Sequence, residues 1–60
     1  MATYPVAITR DAPGRPWDVL NGGVRICRCK TLDEAKEFAL LVFGVEKWRR
    51  VGPGYYEEAA

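Results

Sequence analysis

Asn21-Gly22-Gly23 stands between two apolar runs, Trp17-Asp18-Val19-Leu20 and Val24-Arg25-Ile26-Cys27-Arg28-Cys29, and constrains the fold more than any other stretch of the chain. Asn-Gly accepts the positive φ angles that a two-residue hairpin turn demands. With Asn21 and Gly22 as the turn, Val19 faces Val24 and Trp17 faces Ile26, so four apolar side chains collect on one face, the expected core. The other face then pairs Asp18 with Arg25, at roughly a few tenths of a kcal/mol.

Upstream, residues 4–9 carry β-formers around Pro5, which suits the start of a strand or an edge strand better than the middle of a central one. Asp11-Ala12-Pro13-Gly14-Arg15-Pro16 concentrates turn residues and reads as a loop. Downstream, Thr31-Leu32-Asp33-Glu34 fits a capping box, in which the Thr31 side chain accepts from the amide three residues on and Glu34 reaches back to Thr31. Leu32, Ala35, Phe38, Ala39 and Val42 follow helical apolar spacing, and Gly44 is placed to end the helix in the left-handed conformation, which predicts a helix over 32–43. Leu40, Leu41 and Phe43 widen its apolar surface, so it needs cover from the C-terminal segment or presents a contact patch.

After Gly44, residues 45–51 read as a strand with Val45 and Val51 on one face and Trp48 on the other. Gly52-Pro53-Gly54 stops it, and residues 54–60 are expected to form a loose tail with aromatic anchors. The expected architecture is a single α+β domain over residues 1–60: a small antiparallel sheet of three to four strands with one helix packed across it. Its order is β-β-β-α-β, or β-β-α-β if the first segment does not pair.

Sixty residues support one small core,. The chain has no His, Ser or Gln, which removes most side chains used for nucleophilic and acid–base catalysis,. The glycines at 22–23 and 52–54 lack the Lys-Ser/Thr ending of a phosphate loop, and Asp33, Glu34 and Glu37 already serve a helix start. No enzyme activity, catalytic residue or cofactor is expected. Cys27 and Cys29 sit two apart on one strand, about 6.5 Å between Cα atoms, near the upper limit for a disulfide, so free thiols are expected. Two sulfurs without His cannot complete a four-ligand zinc site; metal binding would need a partner or carboxylates, and no metal site is expected. Met1-Ala2-Thr3-Tyr4-Pro5 lacks a charged leader region, and no apolar run approaches the ~20 residues of a membrane span, so the cytoplasm is the expected location and a membrane is not an expected partner.

The formal charge of +1 is too small for strong nonspecific nucleic-acid binding,. Arg25, Arg28 and Lys30 lie on one expected strand, and Lys47, Arg49 and Arg50 on another; as neighbours they would form a patch, whose bland counterpart is a sheet edge kept soluble by charge. Arg suits planar carboxylate or phosphate recognition better than Lys. The candidate partner-binding residues are therefore Arg28, Arg49 and Arg50 with the aromatics Trp48, Tyr55 and Tyr56, which can anchor a protein contact or stack bases.

The order of hairpin, Lys30-Thr31-Leu32-Asp33-Glu34-Ala35, amphipathic helix, Gly44, Arg-bearing strand and Pro-containing tail resembles the small host RNA polymerase inhibitor of short-tailed lytic phages, over roughly residues 17–53. The resemblance implies docking onto the polymerase through arginines of the last strand, matched here by Arg49 and Arg50. This chain departs from the pattern in its near neutrality, longer first strand and shorter loop after the helix. More broadly, the expectation is a phage or mobile-element protein that obstructs a host machine, the class that includes small anti-CRISPR proteins; a host protein complex is the expected partner, with monomer and homodimer both open. The alternative is a nucleic-acid module, because three strands followed by a helix also resemble the arm-type DNA-binding domains of phage integrases.

Overall fold

In the computed structural model, residues 5–59 are described, as five strands and one helix. These are β1 (Val6–Thr9), β2 (Trp17–Asn21), β3 (Val24–Cys29), α1 (Leu32–Phe43), β4 (Trp48–Gly52) and β5 (Tyr55–Glu58). The strands form one antiparallel sheet in the order β3-β2-β1-β5-β4. The α+β class holds, with five strands rather than three to four. Residues 55–58, expected within a loose tail, form β5 and pair with both β1 and β4.

The first segment also differs from expectation. β1 is the central strand, and Pro5 stands just before it, outside the ladder, where a missing amide costs no strand pairing,. Tyr4, read as part of that segment, lies outside the described residues.

The β2–β3 turn is Gly22-Gly23, one residue later than expected, with Asn21 still paired to Val24. Both glycines have positive φ, 61° and 85°, which the hairpin turn requires at both positions and glycine adopts without a Cβ clash,. A bulge then inserts Ile26 between Arg25 and Cys27, so the partners are Val19 with Cys27, Asp18 with Arg28 and Trp17 with Cys29,. Ile26 and Val24, expected in the core, are 48% and 63% exposed.

The helix runs as the sequence predicts. Thr31 Oγ1 accepts from the Glu34 amide at 3.2 Å, while Glu34 accepts from the Lys30 amide, one residue before the expected Thr31. Gly44, at φ 72°, ends it. Fully buried Ala35 and Ala39 let the helix backbone settle on β1, β2 and β3, over a core of Val6, Ile8, Trp17, Val19 and Val45. Val45 reaches that core from the loop before β4, rather than from a strand as expected. Leu40, Leu41 and Val42 remain 46–77% exposed, so the C-terminal segment does not supply the anticipated cover.

Candidate functional site

Strand alternation sorts the candidate residues onto two faces. On the face opposite the helix, the register aligns Arg25, Leu20, Ala7, Glu57 and Arg49 in one row across all five strands, and Arg28, Asp18, Thr9 and Tyr55 in the next. Arg28 Nε meets Asp18 Oδ1 at 2.9 Å, and an Arg49 terminal nitrogen meets Glu57 Oε2 at 3.0 Å. Both pairs are largely solvent-exposed, so each contributes about 0–1 kcal/mol. Their greater effect is to answer the charge of the two arginines.

β3 and β4 are the two outer strands. The continuous patch anticipated from adjacent basic strands therefore does not form: four inter-strand steps, about 19 Å at the usual spacing, separate Arg25 from Arg49,. Arg28, Arg49 and Tyr55 share the open face, but Arg28 stands at the edge opposite Arg49.

Trp48, Arg50 and Tyr56 project toward the helix side, where Arg50 is cross-strand from Tyr56. The helix backbone lies over β1–β3 and not over β4 or β5, which leaves this part of the sheet as a shelf. Tyr56 leans against Trp17, ring centroids 5.8 Å apart, and Lys36 Nζ lies 5.5 Å from its ring centre. Trp48 and Tyr56 are half-buried against the core, so each is partly spent on folding. Leu40, one turn beyond Lys36 on the same helix side and 46% exposed, continues the wall,. Among the described residues Arg50 joins no ion pair. The shelf thus combines two half-buried aromatics, two cations and an exposed leucine. Lys36 and Leu40 were not among the candidates, since only the helix's placement over β1–β3 reveals that they border it.

Three surface depressions of about 120–230 Å³ fall below the roughly 300 Å³ at which small-molecule pockets begin,. Among the described residues no helix is long and apolar enough to cross a membrane, and no group of three or more Cys, Asp or Glu side chains converges on a metal position. Comparison with protein-family models, curated proteins and solved structures finds no match.

Proposed function

We propose that this chain is a binding module that obstructs a host macromolecular machine, RNA polymerase or a defence complex, by occupying one of its surfaces. The observation that carries this reading is the shelf: the helix covers three strands and leaves Trp48, Arg50 and Tyr56 beside Lys36 on the other two. Half-buried aromatics supply contact area at low entropic cost, and cations beside them select acidic groups on a partner. Exposed Leu40 extends the apolar contribution,. An apolar border and a formal charge of +1 favour an acidic protein surface over a nucleic-acid backbone,.

The test is affinity capture from nuclease-treated bacterial lysate with single charge reversals that separate the two faces. The wild type captures a stoichiometric protein complex; Arg50→Glu weakens it at least about thirtyfold, Arg49→Glu leaves it bound, and circular dichroism is unchanged in both. Loss with Arg49→Glu alone would move the contact to the open face. If nucleic acid is captured instead, with affinity falling steeply in salt, the chain is a nucleic-acid module.

A further inference from the structure

We infer that Cys27 and Cys29 form a two-thiolate chelate for a soft divalent metal ion of the zinc or cadmium class. Both side chains point to the helix side of β3, each half-buried and free, with the sulfurs 3.8 Å apart. Two sulfurs at that spacing, each about 2.3 Å from a zinc ion, subtend about 110° at the metal, the tetrahedral angle. The ion needs no movement of the pair.

A disulfide fits far less well. The sulfurs would have to close to about 2.05 Å between residues whose Cα separation on a strand is near the upper limit for a bridge. The bulge at Ile26 leaves Cys27 and Cys29 in register with Val19 and Trp17, and that pairing holds both Cα atoms in place. Strand pairing therefore favours a metal between the sulfurs over a bond between them.

Binding releases both thiol protons to solvent, and the charge of the cation offsets that of the two resulting thiolates. With two protein donors, the remaining positions fall to water or a small thiol, which makes the site exchangeable rather than structural.

The experiment is a Cd²⁺ titration of the reduced, metal-free full chain, read by the thiolate-to-cadmium charge-transfer absorption. A band saturating at one ion per chain is expected, with alkylation of both cysteines by iodoacetamide slowed at least about tenfold in the saturated protein. Cys27→Ser and Cys29→Ser each lose the saturating band, with the fold checked by circular dichroism. In denaturing urea the wild type binds about tenfold more weakly, because strand pairing no longer holds the sulfurs. The absence of a band, its survival in either single variant, saturation at half an ion per chain, unprotected thiols or equal affinity in urea would each overturn the inference. The alkylation measurement uses the wild type and stands even if a variant misfolds.

Discussion

The β2–β3 and β4–β5 hairpins are built from the same devices and end in different roles. Each turns on glycine, each carries one bulge, at Ile26 and at Val51, and each places an Arg–carboxylate pair on the open face. The difference is the helix, which lies over β2 and β3 and leaves β4 and β5 bare. Under the helix, Val19 is fully buried and the two thiols are partly enclosed. Beside it, Trp48 and Tyr56 stay half-exposed and Arg50 joins no ion pair among the described residues. Equal local chemistry therefore gives a stabilising hairpin where a second layer covers it and a presenting hairpin where none does.

The largest effect should come from the covered side. Ile8→Ala, at a fully buried site on the central strand, is expected to cost about 2–5 kcal/mol in urea denaturation, against about 0.5 or less for Val51→Ala in the bare hairpin,. Similar losses at the two sites would erase the distinction. The turns provide a finer comparison. Gly54 has φ 68° and a Cβ there would lie 3.0 Å from the Arg10 carbonyl oxygen, whereas Gly23, at φ 85°, has nothing within 4 Å. Gly54→Ala should cost about 2 kcal/mol or more and Gly23→Ala about 1, since only the former adds a backbone clash to left-handed strain. Equal midpoints would mean that the second turn is not tied to Arg10 in solution, despite the 2.9 Å bond from the Arg10 amide to Gly54.

Cys29 reports enclosure of the first hairpin. Its pKa, pushed up by burial to about 11 against an ordinary 9.0, should make its alkylation near neutral pH about tenfold slower than that of an exposed thiol, after allowing for the greater nucleophilicity of a more basic thiolate,. Because the folded state holds the proton more tightly, its contribution to stability is present below pH 9 and is lost as pH rises through about 11,. Unfolding midpoints that rise across that window would contradict the burial. The smallest effects belong to the two ion pairs: Arg28→Ala and Arg49→Ala should each change stability by less than about 1 kcal/mol, and a larger loss at either would show that its pair braces the edge strand.

Local chemistry made much of this legible. Thr31, Glu34, Gly44 and the spacing of Leu32, Ala35 and Ala39 determine a helix over 32–43 without help from the rest of the chain, because capping and periodicity act within a few residues. A hairpin around residues 21–23 was equally readable, although its register was not. Two successive glycines let the turn slide by one residue, and a bulge shows no distinct pattern in a run such as Val24-Arg25-Ile26-Cys27. Tyr55-Tyr56-Glu57-Glu58 read as a tail because its four residues have no alternation of their own; they become a strand when β1 and β4 supply hydrogen bonds on both sides.

The candidate site divides in the same way. The aromatic and arginine residues of 48–56 were identifiable by type, but their faces depended on the bulge at Val51 and on where β5 enters the sheet. Composition and short-range pattern determine which segments form a helix or a hairpin, since those free energies come from neighbours in sequence. Strand order, the separation of β3 from β4 and the bare shelf were decided only by tertiary structure, since each depends on pairing between segments tens of residues apart.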